Sequence, residues 1–140
     1  MNNRLFLLFL LLNICFLLTC NDSIVGLFPN GNYSYIAYDS IGTIVAEGEL
    51  FFKFQDSSNV KGEWEIKKVG NPQNIGPQTG KGKLAGGITN GELCIGLNPD
   101  YADNNVFLAG SIERDKYSGS WYYSNLLGRI NYGTFNAEKY

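Results

Sequence analysis

One stretch decides the fold of this 140-residue chain: Val60-Lys61-Gly62-Glu63-Trp64-Glu65-Ile66-Lys67. Its apolar and small residues alternate with its charged residues at a period of two, which is typical of a β-strand with one buried and one solvated face. Residues 43–54, which precede it, alternate in the same way. The pattern predicts two consecutive amphipathic strands and places Trp64 on their buried face.

The same alternation recurs along the chain and is interrupted by residues that favour turns, most clearly at Asn90-Gly91. Eight strands are predicted, at residues 33–38, 43–54, 60–69, 81–88, 92–97, 106–113, 117–123 and 129–138. Consecutive strands with one apolar face must bury that face and protect their edges. We therefore expect an all-β fold, an eight-stranded antiparallel up-and-down barrel, with a two-sheet antiparallel sandwich as the alternative.

Turn chemistry and charge predict how the first long hairpin is aligned. The stretch Ser57-Ser58-Asn59 is predicted to form a three-residue loop with its asparagine in the left-handed conformation. This loop places Lys53 opposite Glu63. A slip of two residues would instead place Lys53 opposite Lys61, and like charges directly opposite each other are unfavourable.

A short motif occurs twice, as Gly62-Glu63-Trp64 and as Gly119-Ser120-Trp121, 57 residues apart. Glycine weakens the interior of a strand. Its recurrence on predicted inner faces therefore favours sharply coiled strands whose bare backbone is covered by a neighbouring aromatic ring. The alternative is that these glycines mark β-bulges.

Together with the closing sequence Gly133-Thr134-Phe135-Asn136-Ala137, these features resemble the calycin group of proteins. The group includes avidin-like and lipocalin-like barrels and barrel-shaped bacterial lipoproteins that inhibit proteases. The resemblance is architectural and covers nearly all of the chain after its N-terminal segment. The chain has no arrangement that matches the biotin-binding residues of avidin, so no ligand residue is transferred.

The N-terminal segment predicts where the protein resides. Leu5–Leu18 is an almost continuous apolar run of fourteen residues, preceded by Arg4. A membrane span needs roughly 20 apolar residues, so this run suits the core of a signal peptide. Its end, Leu17-Leu18-Thr19-Cys20, resembles a bacterial lipoprotein box, although Thr19 departs from the usual small residue. An ordinary secretory signal and an uncleaved anchor are the alternatives.

This assignment divides the chain into a signal peptide at 1–19, a lipidated Cys20 with a short tether at 20–30, and a single barrel domain at 31–140. We expect a protein of the bacterial cell envelope, held at its membrane by the lipid on Cys20. Asn21 directly after the cysteine favours the outer membrane under the common sorting rule.

The composition counts against several classes of function. Without the leader, which carries Arg4, 10 Lys and Arg stand against 13 Asp and Glu, and this net charge of −3 does not suit a nucleic-acid binder. The chain has no histidine, which removes His-assisted nucleophiles, His-containing zinc sites and the commonest general base. Cys94 is the one cysteine of the predicted barrel domain, so no intramolecular disulfide is expected there.

Three groups of side chains suggest chemistry but have simpler explanations. Four glutamates lie beside lysines on the predicted wet face, where cross-strand ion pairs are expected rather than a catalytic pair; they are Glu47, Glu49, Glu63 and Glu65. The acidic loop at 98–105 lacks the EF-hand spacing, so turns are expected there rather than a calcium site. Cys94 is predicted on the outer face without an activating cation. We expect no catalytic residue, metal site or cofactor.

We expect a non-enzymatic binding protein with two places where binding can occur. One is the lumen, which would take a small apolar ligand; the candidate ligand-binding residues are Phe52, Trp64, Leu97 and Trp121. Core packing is the simpler role for both tryptophans. The alternative is the surface, where loops 70–80 and 98–105 would carry contacts for protein–protein interaction or inhibition.

Overall fold

The computed structural model describes residues 30–101 and 103–140, so the predicted signal peptide and Cys20 lie outside the described residues. In these two ranges the regular elements are all β-strands: β1 Gly31–Asp39, β2 Ile44–Phe54, β3 Asn59–Lys68, β4 Gly80–Thr89, β5 Glu92–Gly96, β6 Asn105–Glu113, β7 Lys116–Asn125 and β8 Gly128–Lys139. The eight predicted strands are confirmed, with each boundary within two residues of its prediction. Within the described ranges, no helix has the length and apolar character to cross a membrane.

The strands form a closed antiparallel barrel in which each strand pairs with the next along the chain. Closure is made by β1 and β8, which pair from Tyr33 opposite Lys139 to Asp39 opposite Gly133. This ladder joins the two edges that an open sandwich would leave free. The up-and-down barrel is therefore confirmed, and the sandwich alternative is wrong.

The connections alternate between the two ends of the barrel. One end, which we call the hairpin end, carries the turns at 55–58, 90–91 and 114–115. The start of β1 and the last residue of β8 also lie at this end. The opposite end, which we call the loop end, carries the connections at 40–43, 69–79, 97–104 and 126–127. At the hairpin end, Asn90 and Gly91 form the predicted tight turn, with φ angles of 54° and 82°.

The predicted alignment of β2 and β3 is wrong by two residues. Lys53 lies opposite Lys61 instead of Glu63, while Glu47 lies opposite Lys67 and forms a 3.1 Å ion pair with it. Two exposed lysines repel each other only weakly in water. Charge repulsion therefore does not decide this register.

The turn decides it instead. The Asp56 carboxylate accepts hydrogen bonds from the backbone N–H groups of Ser58 and Asn59, at 2.7 and 2.8 Å, and from the Asn59 side-chain amide. These bonds, led by the one from the Asn59 side chain, lower the pKa of the Asp56 carboxyl. The Gln55 N–H closes the turn on the Asn59 carbonyl at 2.8 Å. Asn59 is therefore the first residue of β3 and is not left-handed, contrary to the prediction.

The inward-facing side chains form one apolar core, as the alternation predicts. Trp64 and Trp121 both lie inside it, with 4 % and 0 % of their surfaces exposed. The other large side chains that are fully buried are Tyr33, Tyr35, Tyr117, Phe52, Phe135, Leu50, Leu84, Leu93, Ile95, Leu97 and Leu108. Removing this apolar surface from water is the main contribution that stabilises the fold.

The first Gly-x-Trp motif connects three neighbouring strands. The Trp64 indole of β3 extends over β4, where its ring lies 3.0 Å from the position that a Cβ on Gly82 would occupy. Its N–H donates to the carbonyl of Leu97, just after β5, and lies 3.1 Å from the carbonyl of Lys83. The glycine in β4 thus makes room for the indole.

The second copy makes the same contacts in the other half of the barrel. The Trp121 indole of β7 lies against Gly133 of β8, and its N–H donates to the carbonyl of Tyr38 in β1 at 2.7 Å. In each copy, a tryptophan extends over one strand and donates to a carbonyl in the strand beyond it or directly after that strand. The two copies therefore make corresponding contacts four strands apart, which gives the sequence repeat a structural meaning.

The Gly62→Ala variant should be strongly destabilised. A methyl group at this position would lie 1.8 Å from the carbonyl oxygen of Phe51, and only a shift of the backbone could relieve that contact. We expect the free energy of unfolding to fall by about 3 kcal/mol, measured by chemical denaturation. The control is Gly96→Ala, whose methyl group would lie 3.3 Å from the Asn105 side chain and should cost less than about 1 kcal/mol. Equal losses in the two variants would contradict this account.

Candidate functional site

The four predicted ligand-binding residues all lie inside the barrel. Phe52, Leu97 and Trp121 are completely buried, and Trp64 is nearly so. The indole of Trp64 is bonded to the Leu97 carbonyl, whereas the indole of Trp121 is bonded to Tyr38. Phe52 packs against other aromatic rings. Each of the four therefore already has partners within the protein.

A chain of aromatic rings crosses the interior beside β1, β2, β7 and β8. The ring centroids are separated by 4.8 Å for Tyr33 and Phe52, 5.8 Å for Phe52 and Tyr117, 4.7 Å for Tyr117 and Phe135, and 6.0 Å for Phe135 and Tyr35. These separations are typical of aromatic side chains in direct contact. This part of the lumen is filled by the protein's own rings.

Two buried tyrosine hydroxyls have partners inside the barrel. The Tyr117 hydroxyl lies 3.0 Å from the carbonyl oxygens of both Leu93 and Leu108 and can donate to either one. The Tyr35 hydroxyl donates to the side-chain oxygen of Gln78 at 3.3 Å. Because a buried polar group without a partner is costly, these bonds hold both rings in place.

The longest connection, at 69–79, folds over the loop end and belongs partly to the core. Ile75 is nearly buried and Gln78 is completely buried. The Gln78 amide donates to the Ile75 carbonyl at 2.8 Å, in addition to its bond with Tyr35. The residues of this loop that remain exposed include Asn71, Gln73 and Asn74. The predicted partner-binding loop 70–80 is thus in part a structural cover for the barrel.

The loop end also carries most of the exposed apolar surface of the described residues. Ile41, Leu126 and Leu127 are 87 %, 85 % and 90 % exposed, and we call these three side chains the apolar tips. Other large apolar side chains exposed in the described ranges are Ile44, Phe51, Tyr101, Ile130, Tyr132 and Tyr140. Ile44, Tyr101 and Ile130 lie on or near a loop-end connection, whereas Phe51 and Tyr132 lie on the outer wall and Tyr140 follows β8.

Local hydrogen bonds explain why the apolar tips face solvent. The Asp39 carboxylate accepts hydrogen bonds from the backbone N–H groups of Ile41 and Thr43, at 3.0 and 2.8 Å. In the other turn, the Asn125 side chain accepts the N–H of Leu127 at 2.8 Å. The polar side chain of each turn is used by its own backbone, which leaves the apolar side chains at the tip.

An aromatic band lies on the outer wall of β6, β7 and β8, and consists of Phe107, Tyr122 and Tyr132. Phe107 and Tyr122 lie directly opposite each other and are stacked, with ring centroids 5.2 Å apart. Tyr132 lies opposite Tyr122 on the other side. The Arg129 guanidinium lies 4.4 Å from the centre of the Tyr122 ring, which is a cation–π contact.

The predicted wet face is confirmed as the outer wall of the barrel. Glu49, Glu63 and Glu65 are exposed there, and Glu49 lies directly opposite Glu65. Two hollows of about 480 and 630 Å³ on this wall are lined largely by these glutamates and by lysines. These carboxylates are therefore side chains of the solvated outer surface, as the alternation predicts.

Cys94 is exposed on the outer wall of β5, as predicted. Partial burial, with a smaller contribution from Glu92, raises the pKa of its thiol. A raised pKa disfavours the thiolate, which is the reactive form. This geometry supports the interpretation that Cys94 is an inert side chain.

The acidic loop before β6 forms local turn contacts. The Asn105 side chain accepts the Asn98 N–H at 3.1 Å and donates to the Asn98 carbonyl at 3.0 Å. The Asn104 side chain accepts the Tyr123 hydroxyl at 2.7 Å. In the part of the chain that the structure describes, no three His, Cys, Asp or Glu side chains are grouped closely enough to hold a metal ion.

No family model matches the chain, and neither the curated proteins nor the solved structures compared with it give a match. The architecture agrees with the calycin resemblance, because the closed eight-stranded antiparallel barrel is lipocalin-like in form. Membership of that group stays a prediction.

Sequence reasoning misses two features of this region. Leu126-Leu127 lies between two predicted strands, where turn residues are usually polar, so the sequence already indicates an exposed apolar turn there. The burial of Gln78 has no such signal, because a glutamine in a polar loop is ordinarily exposed. Its position follows only from the way the 69–79 connection folds over the barrel.

Stability should fall steeply above pH 10. Burial raises the pKa of Tyr35 and Tyr117 well above the ordinary value of 10.0, and burial with a smaller effect of Asp115 raises that of Tyr33 to about 12. Above pH 10 the unfolded chain loses these phenolic protons while the folded barrel keeps them. The free energy of unfolding should then decline by about 1.4 kcal/mol per pH unit for each such tyrosine.

Equilibrium denaturation at a series of pH values above and below 10 measures this slope. The Tyr117→Phe variant should show a shallower decline, since one buried phenol is removed. Tyr101→Phe is the control, because Tyr101 is 68 % exposed and its replacement removes no buried phenol. Identical slopes for the unmodified chain and the two variants would show that the buried tyrosines do not resist ionisation.

Proposed function

We propose that this protein is a non-enzymatic, lipid-anchored binding protein of the bacterial envelope, in which the barrel is a scaffold and the loop end makes the contacts. The observation that carries the proposal is the location of the apolar tips. Ile41, Leu126 and Leu127 lie at the end of the barrel opposite to the one where β1 begins. Large apolar side chains that stay exposed at one end of a barrel favour that end as an interaction site.

The packing of the interior supports the scaffold role. A ligand entering beside β1 and β8 would have to displace rings that already touch, such as Tyr117 and Phe135 at 4.7 Å. It would also compete with the internal hydrogen bonds of both indoles, and breaking these leaves buried polar groups unpaired. The cover formed by Ile75 and Gln78 opposes entry from the loop end.

Binding of a small apolar ligand in the lumen is the second candidate function. It is favoured by the convergence of Phe52, Trp64, Leu97 and Trp121 on one apolar interior. A barrel of eight strands can either fill itself with side chains or hold one small ligand. Native mass spectrometry of the protein isolated from its own host separates the candidates. A scaffold gives the mass of the lipidated chain alone, whereas a retained small molecule would favour the lumen.

The anchor is supported by the apolar run Leu5–Leu18 and by the lipoprotein-like sequence that ends at Cys20. Asn21 supports a place in the outer membrane. The absence of histidine from the chain and the solvated glutamates of the outer wall support a role without catalysis. Both loops that the sequence singled out, 70–80 and 98–105, belong to the loop end, so they would join the apolar tips in one contact surface.

The Cys20→Ser variant should lose its lipid and leave the membrane fraction of the host. The thiol of this residue is the proposed site of acylation, and serine cannot form the same thioether. Mass spectrometry of the N-terminal peptide and fractionation of the cells measure the two effects. Cys15→Ser is the matched control, because Cys15 lies within the predicted signal peptide and should be removed with it. Acylation that persists in Cys20→Ser would overturn the anchor.

A photoreactive amino acid at the loop end should form cross-links in the host cell. Placed at Leu127, which is 90 % exposed, it should become attached to whatever the loop end contacts. Placed at Ser57, an exposed residue of a hairpin-end turn, it should give few adducts. Gel mobility and mass spectrometry detect the products. Equal labelling from the two positions would contradict the assignment of the loop end as the contact surface.

A further inference from the structure

We propose that the partner of the loop end is the surface of a phospholipid bilayer, into which the apolar tips insert. This inference rests on the proposed function, because the anchor would keep the barrel near a membrane and the loop end would be its contact surface. The apolar tips would be located at the boundary between the lipid headgroups and the acyl chains.

The apolar tips project from two separate turns, and a fluid lipid bilayer can accommodate such separate projections. Ile41 lies on the β1–β2 turn, whereas Leu126 and Leu127 lie on the β7–β8 turn. All three are more than four-fifths exposed, so the barrel itself buries little of them. A rigid protein partner would need a matching pocket for each projection. Acyl chains close around any apolar projection, because contact between water and apolar surface is unfavourable.

The distribution of charge favours this end of the barrel over the other. Residues 41–43, 69–79 and 126–128 contain no charged side chain, and the carboxylate of Asp39 is turned to its own backbone. The exposed charged residues in or beside the hairpin-end turns include Asp56, Glu92, Glu113, Arg114, Asp115, Lys116 and Glu138. Moving charges into hydrocarbon is unfavourable, so the hairpin end does not suit insertion.

The remaining charges of the loop end define which side of it inserts. Asp100 and Asp103 are exposed on the β5–β6 connection, and the exposed Lys68 and Lys81 flank the β3–β4 connection. The apolar tips lie on the turns that join β7 to β8 and β1 to β2, and these four strands are neighbours around the barrel. A tilt that lowers this sector into the lipid keeps the two aspartates in water.

The side chains just below the tips suit the headgroup region. Tyr132 is 56 % exposed, and Tyr122 carries the Arg129 guanidinium at 4.4 Å. Tyrosine and arginine combine an apolar body with a polar end, and they favour the interface between water and hydrocarbon. In the proposed orientation, this part of the aromatic band lies at the level of the phosphates.

The tether is long enough for the anchor and the tips to share one bilayer. The nine residues between Cys20 and Asn30 span at most about 30 Å when fully extended. A ten-residue strand such as β3, tilted as in other small barrels, rises about 25 Å along the barrel axis. The chain can therefore return from the hairpin end to the membrane in which the loop end is inserted.

The test uses the full-length protein purified from the membranes of its host. It is reconstituted into vesicles of phosphatidylcholine and phosphatidylglycerol, with a small fraction of phosphatidylcholine that carries a photoactivatable group in its acyl chain. After illumination, mass spectrometry maps lipid adducts to peptides. Adducts on residues 40–44 and 125–132 should exceed those on residues 55–58 by about tenfold, because a buried leucine contributes enough free energy for a tenfold change in partitioning.

Replacement of the tips should remove these adducts. The Leu126→Ser/Leu127→Ser variant should lose labelling at both loop-end peptides, including the one that contains Ile41. Leu127→Phe keeps an apolar tip and should keep the labelling. Phe51→Ser is the matched control, because Phe51 is 41 % exposed but lies on the wall of the barrel. Thermal unfolding shows that each variant is folded.

Flotation of the vesicles separates the two proposals. Protein that floats and carries lipid on the apolar tips supports both. Protein that floats through its anchor but is unlabelled at the tips, or is labelled mainly at the hairpin end, overturns the docking and leaves the anchor intact. Protein that does not float overturns the anchor. Cross-links from Leu127 to a protein in the host, combined with unlabelled tips in vesicles, would assign the loop end to a protein partner and overturn the inference.

Discussion

Closure of the sheet by the β1–β8 ladder is the constraint on which the rest of the structure depends. Tyr35 pairs with Ala137 across this seam, so the two ends of the barrel domain must meet before either strand has both of its neighbours. The same seam receives the indole of Trp121, which bonds to the Tyr38 carbonyl over Gly133. Backbone pairing and core packing are therefore completed together, and the barrel has no open strand edge along this seam.

Closure also dictates what the interior can hold. An eight-stranded barrel is narrow, and here the large side chains directed inward include two indoles and five packed aromatic rings. The Tyr117 hydroxyl also lies within hydrogen-bond distance of the Leu93 and Leu108 carbonyls, so the polar end of this buried ring already has a partner. The interior thus contributes stiffness, and the surface is left to supply the variation that binding requires.

The two ends of the barrel differ because their connections differ in chemistry. The hairpin end is built from tight polar turns, of which the Asp56 turn is stable enough to set the register of β2 and β3. At the loop end, Asp39 and Asn125 are used by their own turns, and the apolar side chains beside them are left in water. An up-and-down barrel places alternate connections at opposite ends. The polar turns therefore lie together at one end of the molecule, and the apolar tips lie at the other end.

The sequence by itself determined the eight strands, the buried face with Trp64 and Trp121, and the barrel as the way to bury it, because period-two alternation and turn residues act locally. It did not determine the register of β2 and β3, since an aspartate outside the predicted loop outweighs the repulsion of two solvated lysines. Only the tertiary structure decided that Gln78 is buried and that the Trp64 indole reaches the Leu97 carbonyl. These facts depend on where distant segments meet, and that is fixed by closure of the sheet and not by the pattern of any single segment.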